Sequence, residues 1–375
     1  MTQALDICIR GDGIVGQSLA LMLARDRLRV GLVTHPAPPA GSDVRAYALN
    51  AASRGLLESL ACWPDPGQAT QVLSMQVQGD AGGRVSFEAG TMSAPALTWI
   101  VDVPALDSLL RQALRFQPLV TRLDAPSAAP LQVLCEGRSG SSLREFGIVN
   151  EGAAYPQQAI AARLECEQPH RQIARQWFEA GHILAALPLD GPDGRRVAVV
   201  WSLPTDEAGP WLAAEAARFC ERLTALSRGE LGRLTLCSER AAWPLQNTQA
   251  RHWVGRHAGQ AWALAGDAAH SVHPLAGQGL NLGLADAAAL ADVLRQREYW
   301  RQADDLRLLR RYERRRKAAL LPVSLSMDAL QQLFSREGDT WRSLRNWGMN
   351  RFETSGPLKR WVARQAMGQA ARTEP

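Results

Sequence analysis

Metal-ligand pairs, a disulfide framework and long apolar runs are all missing from this 375-residue chain. Its six cysteines (Cys8, Cys62, Cys135, Cys166, Cys220, Cys237) are scattered with no CxxC pair. That spacing argues against a zinc site and against a stapled fold, and predicts buried, reduced thiols. No stretch of about 18 apolar residues occurs, so no transmembrane helix is expected. Met1–Asp6 has no basic n-region, and the apolar run after it is broken by Arg10 and Asp12. The expectation is therefore a cytoplasmic protein without a signal peptide. Lysine is scarce, with only Lys317 and Lys359. No Ser/His/Asp or Cys/His set stands in a nucleophile context, which leaves hydrolase chemistry without support.

The composition present is 46% hydrophobic and 21% charged, as for a globular protein, and the length suits two domains. The net charge of +5 is uneven: residues 295–375 carry 18 basic and 9 acidic side chains, a net of +9, against −4 for the remainder. A basic terminal segment fits solvated helical faces, and it also fits an anionic membrane surface. No nucleic-acid partner is expected.

Leu5–Arg10 reads as a buried strand, Gln17–Asp26 as a helix and Leu28–Thr34 as a second strand, a βαβ start. Pro36–Pro39 reads as a loop, Ala51–Leu60 and Pro104–Arg115 as helices, and Leu131–Cys135 as a strand. Residues 155–203, with Ala161–Cys166 and Arg196–Ser202 as the clearest runs, predict an antiparallel sheet. Trp211–Ser227 reads as a helix, Trp262–Ala265 as a strand and Gly279–Leu294 as a helix. The remainder to about Gly368 reads as helical, with breaks at Pro322, Gly338 and Gly356–Pro357. Trp99, Trp177, Trp201 and Trp243 are candidates to line an apolar pocket, although large aromatics more commonly fill cores.

Between the first strand and helix stands Gly11-Asp12-Gly13-Ile14-Val15-Gly16. The first glycine permits a tight turn, the second lets backbone approach a pyrophosphate, and the third lets helix pack on strand. The helix start then offers unpaired N–H groups to phosphate. Two details depart from the fingerprint. The acidic residue expected at the end of the second strand to hold a ribose hydroxyl is replaced by Thr34-His35, with Thr34 a weaker acceptor. Asp12 adds a carboxylate inside a phosphate-binding loop, which is repulsive unless it points away. The second motif runs Gly266-Asp267-Ala268-Ala269-His270-Ser271-Val272-His273-Pro274-Leu275-Ala276-Gly277-Gln278-Gly279-Leu280-Asn281. It reads as a strand end, a glycine loop and a helix start that present N–H groups and a positive helix end to negative charge. His270 and His273 are read as structural rather than as metal ligands, with His273 also a candidate hydrogen-bond donor to substrate or a bound cofactor.

This second motif resembles the flavin-contacting segment of FAD-dependent aromatic-ring monooxygenases of the p-hydroxybenzoate hydroxylase type, and within them the ubiquinone-biosynthesis hydroxylases. Asp43–Leu49, Tyr155–Ala159, Leu184–Leu189, Leu309–Lys317 and Pro357–Gly368 are similar to other segments of that family, so the resemblance spans nearly the whole chain. It implies a Rossmann-like α/β FAD-binding domain with a mostly parallel sheet (1–63, 104–154 and 255–330), an antiparallel-sheet substrate domain (64–103 and 155–254) and C-terminal helices (331–375). It implies that Asp267 binds the ribityl chain, that Arg45 lies near the flavin, and that Pro274, Gly277, Gln278 and Gly279 lie against the isoalloxazine. Leu280 and Asn281 would face the flavin N1–C2=O region. The implied reaction is hydroxylation of a phenolic ring, a polyprenyl phenol of ubiquinone biosynthesis, through a flavin C4a-hydroperoxide with NAD(P)H as donor. Homo-oligomers, a biosynthetic complex and peripheral membrane contact are the partners such a substrate suggests.

The chain also departs from the family. Glu136 stands for the usual Asp of the middle motif, Arg144 lies one residue late, Val103-Pro104 replaces a polar flavin contact, and 116–131 is a short bridge. These departures motivate an alternative, a weakly active member serving as a subunit of a biosynthetic complex. A flavin oxidase or reductase is a third reading.

Overall fold

The computed structural model describes residues 4–335 and 351–368 apart from 36–42, 80–81, 139, 180, 272–277, 357–358, 361–362 and 365–366, with backbone alone for 323–335. In chain order the elements begin β1 (Ile7–Arg10), α1 (Ile14–Arg25), β2 (Val30–Val33), β3 (Ala46–Leu49), α2 (Ala51–Ser59), β4 (Ala69–Val72), β5 (Ser74–Gln78) and β6 (Arg84–Glu88). There follow β7 (Thr98–Asp102), α3 (Val103–Arg115), β8 (Val120–Leu123), β9 (Leu131–Leu134), α4 (Ser141–Glu145), β10 (Asn150–Cys166), β11 (Ile173–Glu179), β12 (His182–Pro188) and β13 (Arg196–Pro204). The last are α5 (Thr205–Ala213), α6 (Ala216–Leu226), β14 (Leu234–Leu236), β15 (Ala241–Ala250), β16 (Val254–His257), β17 (Gln260–Leu264), β18 (His270–Ser271), α7 (Gly279–Arg295) and α8 (Leu306–Ser335).

One sheet runs β16-β17-β9-β1-β2-β8, parallel throughout except for β16. Its central strands β1, β2 and β9 are buried at every residue, as expected of strands covered on both faces. α1, α3 and α7 pack on it through Leu19, Leu23, Leu106, Leu110, Leu284 and Leu290. The second sheet, β18-β15-β10-β13-β12-β11-β5-β6 with β14 beside β10, is antiparallel except where β11 meets β5. Its 17-residue β10 pairs with both β13 and β15, and the register slips between Ala154 and Gln158, around Pro156. A three-stranded antiparallel sheet runs β3-β7-β4. The α/β class with a mostly parallel and an antiparallel sheet is therefore as expected.

Two expectations need correction. The helix read over Trp211–Ser227 is two helices, α5 and α6, separated at Ala214 and Glu215, both extended. The kink lets Phe219, Cys220, Leu223 and Leu226 of α6 seat on the sheet. α8 does not break at Pro322 but continues to Ser335. A proline inside a helix costs about 3 kcal/mol, and the preceding turns are anchored by buried Leu309, Tyr312, Arg316 and Leu320. Trp99, Trp177 and Trp201 are at most 3% exposed and belong to core clusters, the commoner of the two roles expected of them, and Trp243 is half-buried. Gly338, Pro357 and the loop Pro36–Pro39 lie outside the described residues.

Candidate flavin site

The glycine loop is shaped by contacts that leave no room for side chains. Gly11 has φ +108°, and a methyl there would come within 2.7 Å of the Cys135 carbonyl at the end of β9. A methyl on Gly16 would collide with the Gly11 carbonyl oxygen, so α1 sits hard against the loop. Gly13, by contrast, is exposed and has nothing within 4 Å of where a Cβ would be. It is the N-cap of α1, and no side chain caps that helix. Ile14 is buried and Val15 half-buried just inside it.

The second motif folds onto the first. A methyl on Gly283 of α7 would meet the Val15 side chain at 2.7 Å, and Val15 also touches the Gly266 turn. Val15 is thus wedged between the Gly266–Asp267 turn and α7, and the two motifs adjoin. α7 too begins without a side-chain cap, at Gln278. The neighbouring helices differ: Asn50 caps α2 through Ser53 N at 2.9 Å, and Asp102 caps α3 through Ala105 N at 3.4 Å. The two uncapped helix starts leave N–H groups for an anion or an electron-rich carbonyl. That is the donor set a dinucleotide with a flavin requires, and the residues present fit FAD.

Asp267 is exposed, on the turn that touches Val15. The protein crowded around it pushes its carboxyl up, and Arg138 and Arg45 pull in the opposite direction. Arg45 is likewise exposed and is held by Asp43 through contacts of 2.8 and 2.6 Å, a pairing that raises its guanidinium pKa further. Tyr47, on the same face of the chain as Arg45, is pushed up chiefly by burial and feels both Arg45 and Asp267. Arg45 and Tyr47 thus lie within electrostatic reach of Asp267. Leu280 is buried, and Gln278 and Gly279 are half-buried at the start of α7. The side chain of Asn281 is committed inside the protein: its Oδ1 accepts from Asn50 N at 2.9 Å and from Ser53 Oγ at 2.7 Å, and its Nδ2 donates to Ala48 O. What this turn can offer outward is backbone. Thr34 donates its amide to Leu123 O at 2.9 Å, with its hydroxyl 3.5 Å from the same oxygen. His273, Pro274 and Gly277 lie outside the described residues.

Beneath the two motifs is a network that sequence reading missed. Asp286 of α7 is fully buried and accepts from Arg316 Nε of α8 at 2.6 Å and from Gly266 N at 3.0 Å, while His270 Nε2 lies 2.7 Å away. Burial alone would push this carboxyl up, but His270 and Arg316 hold it below the usual range. His270 stacks on Trp253 at 5.0 Å, and Tyr312 donates to Leu264 O at 2.7 Å. Arg163 of β10 was also missed. It pairs with Asp102 at 2.6 Å and reaches the carbonyls of Val44 and Arg45, tying the antiparallel sheet to the segment that carries Arg45. No local motif announces either group, because the partners meet only across elements. The family departures have structural roles as well: Glu136 accepts from Ser142 N at the start of α4, and Val103 is buried behind the Asp102 cap.

A parallel sheet with two convergent, uncapped glycine turns, joined to a broad antiparallel sheet, defines an FAD-dependent oxidoreductase. The FAD binding domain family matches residues 128–322. The chain is 31% identical to ubiquinone hydroxylase UbiL of Rhodospirillum rubrum over 97% of its length and 89% of that protein. It is 30% identical to 3-demethoxyubiquinol 3-hydroxylase of Escherichia coli, covering 98% and 99% of the two chains. Its fold resembles p-nitrophenol 4-monooxygenase PnpA of Pseudomonas putida, with a TM-score of 0.77 at 16% identity over all of both chains. It also resembles Pseudomonas aeruginosa PqsL bound to 2-aminobenzoylacetate, with a TM-score of 0.73 at 20% identity over 92% of this chain and all of that one. The chain belongs to the ubiquinone-hydroxylase family of FAD-dependent aromatic-ring monooxygenases.

Proposed function

We propose that this monooxygenase hydroxylates a small hydrophobic phenol, a polyprenyl phenol of ubiquinone biosynthesis, with NAD(P)H as electron donor. The observation that carries the reading is the wedge of Val15 between the Gly266 turn and α7, which brings both glycine motifs side by side. The names of the two relatives supply the substrate class.

In this reading Gly11, Gly13, Ile14, Val15 and Gly16 receive the pyrophosphate on backbone N–H groups, and Gly266–Asp267 takes the ribityl hydroxyls. Gln278, Gly279, Leu280 and the backbone of Asn281, with Pro274 and Gly277 of the same loop, lie along the flavin ring. When bound, FAD supplies oxygen activation. The protein's share is to orient the ring, exclude water and place positive helix ends near developing negative charge. Arg45 stands beside the flavin, fixed by Asp43. The FAD-binding domain comprises 1–63, 104–154 and 255–330, and the substrate domain 64–103 and 155–254. The membrane-facing part of the reading rests on α8, where Arg307, Arg310, Arg311, Arg314 and Arg315 are all exposed. Among the described residues no helix is long and apolar enough to cross a membrane.

Purified protein, with and without added FAD, tests the reading through its visible spectrum and through substrate-dependent oxygen uptake. Flavin bands that are lost in Asp267→Ala, with a hydroxylated phenol as product, are expected. A protein that takes up no flavin under any loading condition overturns it, and peroxide release without oxygenated product makes it an oxidase instead.

A further inference from the structure

The glycine-loop architecture calls for a carboxylate at the end of β2, where an adenosine ribose lies against the loop. This chain has Thr34 and His35 there, and Thr34 is turned to the neighbouring strand, with its amide and hydroxyl on Leu123 O. A carboxylate is nevertheless present at that place. Asp12 Oδ1 lies 3.3 Å from His35 N and 3.4 Å from His35 Nδ1, so it reaches across from the end of β1 to the end of β2. Its other oxygen accepts from Arg111 Nη1 of α3 at 3.1 Å.

The surroundings hold Asp12 in that pose. Arg111 Nε also donates to Asp107 at 2.7 Å. Gln17, fully buried, donates to both the Asp12 carbonyl (2.7 Å) and Asp107 Oδ1 (2.6 Å). The carboxylate therefore points sideways, toward β2 and α3, while the start of α1 at Gly13 stays open. Arg111 offsets the negative charge that would otherwise oppose a pyrophosphate. An ionised carboxylate has about four lone-pair sites. His35 N and Arg111 take two, and the side chain keeps 10% exposure through which the others can be reached.

We propose that Asp12, from inside the glycine loop, supplies the carboxylate that accepts the adenosine ribose hydroxyls of FAD, in place of the acid missing from the end of β2. Arg111 and His35 are the positioning residues for it. The assignment rests on the FAD reading above and names a residue that the glycine fingerprint alone would count as a defect.

The test uses apoprotein titrated by flavin fluorescence with FAD, with FMN, and with an FAD analogue lacking the 2′-hydroxyl of the adenosine ribose. Wild type should bind the deoxy analogue more weakly than FAD, by roughly tenfold to a hundredfold for a hydrogen bond to a charged group. Asp12→Asn should lose FAD affinity to a similar degree, leave FMN unchanged because FMN has no adenosine, and no longer distinguish FAD from its deoxy analogue. Wild type that binds both dinucleotides equally overturns the proposal without recourse to any variant. So does an Asp12→Asn protein that loses FAD and FMN alike, or one in which the substitution and the missing hydroxyl weaken binding additively. Wild type that binds no FAD at all would instead defeat the flavin reading beneath it.

Discussion

Around the parallel sheet, backbone meets backbone: the Cys135 carbonyl closes on Gly11, and the Gly11 carbonyl closes on Gly16. The antiparallel sheet is filled differently. Its core is a cluster of large rings, with Trp201 between Trp211 (5.3 Å) and Phe219 (6.0 Å) and Trp177 buried nearby. Close backbone approach tolerates one residue type, and it leaves a signature. A ring cluster tolerates many apolar combinations of the right volume, and it does not. The cofactor half should accordingly be sensitive in ligand affinity, and the other half in stability.

The largest effect expected joins the two through Asp286. Arg316→Ala leaves a buried carboxylate without one of its two charged partners and should cost about 3–5 kcal/mol, measured by urea unfolding of the apoprotein. The Asp286→Ala, Arg316→Ala double variant should cost less than the sum of the singles. The same network sets a pH dependence. Because the folded-state pKa of Asp286 is depressed, its contribution is complete above the ordinary carboxylate value of about 4 and is lost as pH falls through the lower folded value. Asp286→Asn should flatten the acid limb of the stability profile; an unchanged limb would mean that other carboxylates set it.

Trp201→Ala should cost about 3–5 kcal/mol, as for other buried aromatics, yet leave FAD affinity of the folded fraction intact. Gly283→Ala is its counterpart. It should cost about 1–3 kcal/mol from overpacking against Val15 and weaken FAD binding along with it. If Trp201→Ala weakens FAD binding and Gly283→Ala does not, the contrast between the two halves fails. The smallest effect is expected at Asp267. Crowding raises its pKa, so the folded apoprotein is favoured at low pH and loses that advantage as pH rises from the ordinary carboxylate value toward the folded one. Asp267→Asn should therefore stabilise the apoprotein slightly at neutral pH, by no more than about 0.5 kcal/mol at this exposed position. A thermal scan without flavin would show it, while FAD binding falls.

Much of the fold was legible. The βαβ start, the helix at Val103–Arg115, the antiparallel run through β10 and β13 and the helix after Gly279 follow from periodicity and glycine placement. The split of α5 from α6 was not, because a kink at Ala214 and Glu215 has no glycine or proline to mark it; Pro210 stands earlier, inside α5. The continuity of α8 through Pro322 was hidden for the opposite reason, since a strong local breaker is outweighed by packing of the turns before it. Arg45 and Asp267 were named from resemblance, while Tyr47, which feels both charges, carried no motif. Asp12 read as a defect because only its contacts with His35 and Arg111 show where the carboxylate points.

By itself, then, the sequence determined where backbone must come close to backbone. Gly11, Gly16 and Gly283 are glycines because nothing larger fits, and Gly266 because its φ of +67° disfavours a side chain; such constraints are local enough to read along a chain. The tertiary structure alone decided which charges meet. Asp286, His270 and Arg316, or Asp12, His35 and Arg111, lie on separate elements, and an ionic partner is chosen by distance in space, which residue spacing does not encode.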